Sequence, residues 1–182
     1  MNEQIDFLIL IAQRLDSADI QYMLTGSMAM TFFGIPRMTR DIDIVIVYDV
    51  KDAPIISALF RSDCYVDEFS IRDAAVRHFM FNIIHQEWIV KADFISRKNV
   101  PYRLLEFSRR RTLRIGDQDV KVVSPEDLIL SKLIWSCESG SEIQMKDVRA
   151  IIDGVNDLDW RYLDGTAETL GVLESLKNAR QE

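Results

Sequence analysis

LTGSMAMTFFGIPRMTRDIDIVIVY, Leu24–Tyr48, decides the reading of this chain. Leu24-Thr25-Gly26-Ser27 carries a short strand, expected over Gln21–Leu24, through a glycine turn into a helix expected over Ser27–Phe33. Gly34-Ile35-Pro36 breaks that helix. Asp41–Tyr48 then reads as a strand rich in Ile and Val, with Asp41 and Asp43 on one face and Ile42 and Ile44 on the other. Two carboxylates that close repel unless a cation sits between them, and a divalent ion that prefers hard oxygen ligands is a suitable partner. The plainer reading is an acidic, solvent-facing edge strand.

Working outward, Asn2 to about Asp16 reads as an amphipathic helix, with Ile5, Leu8, Ile9, Ala12 and Leu15 on its apolar face. Downstream, the pattern predicts a helix over Asp52–Arg61 and another capped by Ser70 and running to Arg77. Two strands follow, Phe79–His85 and Trp88–Ser96, joined tightly at Gln86-Glu87. A helix over Pro101–Phe107 precedes a hairpin of Arg111–Ile115 and Asp119–Val123 around Gly116-Asp117-Gln118. Ser124-Pro125-Glu126-Asp127 is a helix start, combining a cap, a first-turn proline and acids at the positive end. From there helices are expected over Pro125–Cys137, Glu142–Gly154, Trp160–Leu170 and Val172–Ala179. The expected fold is α/β (α+β): a mixed-sheet core over 1–123 and a helical subdomain over 124–182 packed on it.

Within Trp88–Ser96 stands Ala92-Asp93-Phe94. An Asp in an apolar strand is costly to bury unless it is paired or binds metal. A third carboxylate facing Asp41 and Asp43 would complete a site for two Mg²⁺ (or Mn²⁺) ions. Such a site orients an α-phosphate for in-line attack and stabilises the leaving pyrophosphate. Gly26 permits close backbone approach to a phosphate, and Ser27 adds a hydroxyl.

Gly26-Ser27, thirteen residues, Asp41-Ile42-Asp43-Ile44 and a separate Asp93 together resemble the core pattern of the polymerase-β-like nucleotidyltransferase superfamily. Arg37-Met38-Thr39-Arg40-Asp41 resembles the lead-in of small bacterial members related to abortive-infection and toxin-type nucleotidyltransferases. Ser124-Pro125-Glu126-Asp127-Leu128, Lys132 and Lys146-Asp147 resemble their helical region. One departure is a single glycine before Ser27, where many members have two. The resemblance implies a nucleotidyltransferase core and metal-dependent transfer of an NMP from an NTP to a hydroxyl. RNA, protein and small molecules all stay open as acceptors. A catalytically silent NTP-binding module and a toxin whose main property is binding a cognate antitoxin protein are the competing functions.

Other residues carry two readings each. Arg37 and Arg40 are candidates to contact phosphates, although Arg40 has the simpler use of balancing Asp41. Thr39 orients the loop or a carboxylate. Lys91, two residues before Asp93, either neutralises the carboxylates or forms an ordinary ion pair. Lys132 reads as a lysine reaching solvent from a packed helix, while the resemblance assigns it a phosphate or base role. Lys146-Asp147 is expected to be a surface pair or a tie between helices. His85 reads as structural, and Trp88, Trp135 and Trp160 read as core rather than as base-stacking platforms.

Composition bounds the partners. With 29 acidic against 22 basic residues, a net charge of −7 and a pI near 4.9, the chain is a poor general nucleic-acid binder. From Asp93 to Lys121, however, eight basic residues stand against four acidic ones, so a local basic face is expected. Its Arg109–Arg111 run reads as a solvated turn or a contact for an RNA acceptor. Cys64 and Cys137 lack metal-site spacing and read as packed, reduced thiols. Apolar runs such as Phe7–Ala12 are too short to span a bilayer, and a basic leader is missing. The chain is expected to be cytoplasmic.

Overall fold

A computed structural model describes residues 3–181. Seven strands among them form one mixed sheet in the order β3-β4-β5-β2-β1-β7-β6. The strands are β1 (Tyr22–Thr25), β2 (Asp41–Ile46), β3 (Cys64–Tyr65), β4 (Met80–His85), β5 (Lys91–Ser96), β6 (Arg111–Ile115) and β7 (Gln118–Val122). β2 is therefore the middle strand. It runs parallel to β5 and antiparallel to β1. The edge-strand reading of Asp41 and Asp43 is excluded, and the sheet's own pairing forces their carboxylates to share space with Asp93.

Helix α1 (Glu3–Ser17) buries Phe7, Leu8, Ile11, Ala12 and Leu15. Its core face is thus turned from the expected one, with Phe7 and Ile11 replacing Ile5 and Ile9, which are only partly buried. The expected start at Asn2 lies outside the described residues. Helix α2 (Gly26–Phe32) follows β1 without a linker. A short 3₁₀ turn (Val50–Asp52) leads into α3 (Ala53–Phe60). Helix α4 (Glu68–Arg77) is capped by Asp67, whose carboxylate accepts from the backbone N–H groups of Phe69 and Ser70. Ser70 is therefore inside the helix, donating its hydroxyl to Asp67 at 2.6 Å, and is not the cap. A carboxylate accepts more strongly than a hydroxyl, so the acid three residues before the first turn's serine takes the role.

Strand β5 begins at Lys91, three residues later than expected. His85 accepts a hydrogen bond from the Trp88 backbone at 3.2 Å, its ring stacks on the indole at 3.9 Å, and Ile89 takes a positive φ of 53°. Those contacts close a wider turn, and His85 is structural as expected. Helix α5 (Pro101–Ser108) and the β6–β7 hairpin follow, then α6 (Pro125–Ser139), α7 (Glu142–Gly154), α8 (Trp160–Thr169) and α9 (Leu173–Gln181). Ser124 caps α6 by accepting from the Asp127 N–H at 3.1 Å. One cluster of buried side chains runs from Phe7 through the sheet to Ala179. Cys64 is buried but Cys137 is exposed, so only one of the two thiols is packed.

The arginine run is neither a solvated turn nor an open basic face. Arg109 donates to Asp127 at 3.0 Å and lies 3.6 Å over the Tyr162 ring. Arg111 pairs with Glu126 at 3.0 Å, and Arg110 donates to the Phe107 carbonyl at 2.6 Å. Asp127 and Glu126 are 0% and 1% exposed, and a buried acid recruits the nearest cations. The run pins the hairpin to the start of α6. It leaves Arg97 and Lys98, beyond β5, as the basic residues of this segment that border the cavity described below without an acidic partner among the described residues.

Candidate active site

β2 and β5 place the site. In their parallel register Asp41 lies opposite Lys91 and Asp43 opposite Asp93. Alternation along both strands sends these four side chains to one face, while Ile42, Ile44, Ala92 and Phe94 fill the core on the other. The face opens into a cavity of about 630 Å³ whose wall includes Gly26, Ser27, Thr39, Asp41, Asp43, Asp93 and, from α6, Lys132 and Trp135.

Lys91 supplies the local positive charge. Its Nζ lies 2.9 Å from Asp93 and 3.4 Å from Asp41, bridging the two carboxylates. The hydrogen bond to Asp93, aided by the charge of Asp41, raises the lysine's pKa. Asp43 has no such direct partner. Burial, then the charges of Asp93 and Asp41, push its pKa up to about 6, against a smaller opposing pull from Lys132 and Lys91. Asp43 lies against Gly26. That glycine has φ +67°, and a Cβ built on it would fall inside the Asp43 carboxylate. The glycine of the turn is required by both its backbone and its neighbour.

Lys132 overturns its reading as a solvated lysine. It is 4% exposed, donating to Asp147 at 2.8 Å and to Gln144 at 3.1 Å. Asp147 is also buried and accepts from Arg37 at 3.0 Å. Asp147 is thus not one half of a surface pair with Lys146 but the centre of a tie between α6, α7 and the loop before β2. Arg37 is committed to that tie and does not line the cavity. Arg40 is exposed and has neither a place in the cavity wall nor an Asp41 ion pair. Thr39 does line the cavity and orients the loop: its hydroxyl accepts from the Asp41 N–H at 3.4 Å, and its carbonyl accepts from Gln4 at 2.8 Å. Trp135 is 58% exposed, not core. The tie between helices was one of the two readings of Asp147, but its partner, and the part of Gln144, stayed hidden because Lys132 is fifteen and twelve positions away on another helix.

The donor set is suited to a divalent cation. Asp93 Oδ1 is buried without a hydrogen-bond partner, and three hard-oxygen side chains border a site where burial and the neighbouring carboxylate charges already make Asp43 resist ionisation. Among the described residues no three acidic, histidine or thiol groups are yet drawn together as a ready metal cage. Lys91 spans Asp41 and Asp93, and Asp43 leans on Gly26.

This sheet, with its acidic floor beside a glycine turn, is that of a nucleotidyltransferase. The fold is shared with an antigenic nucleotidyltransferase-like protein of Paracoccidioides brasiliensis (TM-score 0.62, 20% identity, 97% of this chain and 93% of that one). It is shared too with ANT(2")-Ia in complex with adenylyl-2"-tobramycin (TM-score 0.57, 13% identity, 100% of both chains). A third relative in fold is the lincosamide antibiotic adenylyltransferase LnuA in its lincomycin-bound form (TM-score 0.51, 14% identity, 83% and 96%). No curated protein matches the sequence. More particularly, the chain belongs to the nucleotidyl transferase AbiEii toxin family of type IV toxin–antitoxin systems, whose profile matches residues 9–148. Among the described residues no helix is long and apolar enough to cross a membrane.

Proposed function

We propose that this nucleotidyltransferase moves an NMP from an NTP to a hydroxyl of an acceptor, with Asp41, Asp43 and Asp93 holding Mg²⁺ (or Mn²⁺) and carrying the chemistry. The observation that carries the reading is the Asp43–Asp93 register pair on the sheet's two central parallel strands, at the floor of the cavity. Bound divalent ions supply Lewis-acid stabilisation of the α-phosphate and of the leaving pyrophosphate.

The chain's own residues do the rest. Ser27 donates its hydroxyl to a triphosphate oxygen, and Gly26 leaves room for the Asp43 carboxylate above the turn. Lys132, held by Asp147, keeps positive charge beside Asp43. Lys91 holds Asp41 and Asp93 together and yields the space between them as substrate enters. Asp93 takes the acceptor's proton. The acceptor oxygen bonds to the α-phosphorus, the bond from that phosphorus to the bridging oxygen breaks, and pyrophosphate leaves. Thr39 fixes the loop that delivers Asp41. RNA, a protein or a small molecule serves as acceptor, and a cognate antitoxin is the expected protein partner, in keeping with the family's description. Two free cysteines fit a reducing, cytoplasmic setting.

The test is pyrophosphate release with each of the four NTPs, Mg²⁺, and total cell RNA or lysate as acceptor. Release is expected from the wild type with a preferred base, to stop on chelation by EDTA, and to fall at least about a hundredfold in Asp43→Ala, the order of loss for a group that stabilises the transition state. NTP binding without release would make the chain a silent binding module. No metal-dependent NTP binding would overturn the site.

A further inference from the structure

We propose that Trp135 is the stacking platform for the base of the incoming nucleotide, an inference that rests on the nucleotidyl-transfer reading. Helix α6 is mostly buried, with Leu128, Ile129, Leu130, Lys132 and Leu133 all covered. Trp135 stands where that burial gives way to the exposed Cys137, Glu138 and Ser139: it is 58% exposed, and its indole enters no hydrogen bond, ring stack or cation pair among the described residues. Single exposed apolar side chains are ordinary, but this ring forms part of the cavity wall and offers a large aromatic face there.

Its position measures what it takes. Lys132, whose charge acts on Asp43, lies three residues earlier on α6, so the two side chains are neighbours on one helix face about 4.5 Å apart along the axis. Phosphates held beside Asp43 and Lys132 place the attached sugar and base toward Trp135. Along the floor, β5 leads over Ile95 to Arg97 and Lys98 just past its end, Arg97 lying about 13 Å along the chain from Asp93. Those cations suit the acceptor end better than a base. Trp88, stacked on His85, and Trp160, under Arg180 at 3.9 Å, are engaged elsewhere.

The experiment compares NTP with inorganic tripolyphosphate, which has the phosphates but no base. Dissociation constants with Mg²⁺ are measured for wild type, Trp135→Phe and Trp135→Ala, alongside thermal melts. Stacking on an aromatic ring predicts that Trp135→Ala weakens NTP about tenfold or more, leaves tripolyphosphate unchanged, and raises KM for NTP with little change in kcat. Trp135→Phe should recover most of the affinity and lose the nucleotide-induced quenching of tryptophan fluorescence. Equal weakening of NTP and tripolyphosphate, or unchanged NTP binding, overturns the platform. A rise in KM for the acceptor alone assigns the ring to the acceptor and also overturns it. If wild type binds neither probe, the nucleotidyl-transfer site itself fails, a result distinct from the failure of Trp135.

Discussion

Asp43 is held in a state that folding does not favour. Its pKa lies at about 6, above the usual carboxylate value, because burial and two like charges penalise the ionised form. The folded protein therefore keeps a proton on Asp43 that the unfolded chain releases near pH 4. Stability linked to this group is greatest below about pH 4, declines as pH rises to about 6, and stays lost above it. Asp43→Asn removes the penalty. The metal-free variant should be more stable than wild type by about 2 kcal/mol at pH 7.5 and equal to it at pH 4, read by urea melts. The same variant should be inactive, so stability and activity move in opposite directions. Because protons and metal compete for this carboxylate, metal-dependent NTP binding should weaken as pH falls through 6. The tie at Asp147 behaves otherwise. Asp147→Ala strands a buried Lys132 ammonium and should cost about 3 kcal/mol, measured by the same melts at any pH near neutrality.

At the scale of elements, the β1–α2 turn is the least tolerant. Gly26→Ala places a methyl group into the Asp43 carboxylate at a positive φ, so it should lower stability by about 1–3 kcal/mol and reduce pyrophosphate release at least tenfold. A Gly34→Ala control has the positive φ but open space around its Cβ, and should retain activity. This contrast also marks what the sequence made legible. The strand–turn–helix of Gly26 and the alternating Asp41 and Asp43 are local patterns, read directly from a period of two and a glycine. Their convergence with Asp93 needed only the expectation that β2 and β5 pair. What stayed hidden depended on partners distant in sequence. Two-residue β3 carries too little pattern to read. Arg109 and Arg111 looked free until the buried acids of α6 claimed them, and Lys132 looked solvated until α7 brought Asp147 over it. Trp135 was misread for the converse reason: apolar character predicts burial, but not which apolar ring a cavity leaves open.

For the whole molecule, the question is whether the helices of 124–182 are an attachment or part of the core. We propose that they are a subdomain packed on 1–123 which the sheet cannot dispense with. Leu128, Ile129, Leu130 and Leu133 of α6 belong to the same buried cluster as the strands. The link is polar as well. Val123 donates its backbone N–H to the Leu24 carbonyl at 2.9 Å, tying the entrance of α6 to the strand that feeds Gly26. Arg109 and Arg111 reach across to Asp127 and Glu126, and Lys132 contributes charge at the cavity floor. Cutting after Val123 would strip an apolar layer from one side of the sheet and leave two arginines without their acids. The full chain should therefore unfold in one transition, coincident by near- and far-ultraviolet circular dichroism. Residues 1–123 alone should show no cooperative melt and should bind a hydrophobic dye, as a collapsed chain without fixed packing does. A sharp, cooperative transition in 1–123 would mean the sheet closes its own core. The helical part would then be a separable lid over the carboxylates, and Asp147→Ala would be expected to alter nucleotide affinity while leaving the stability of the sheet untouched.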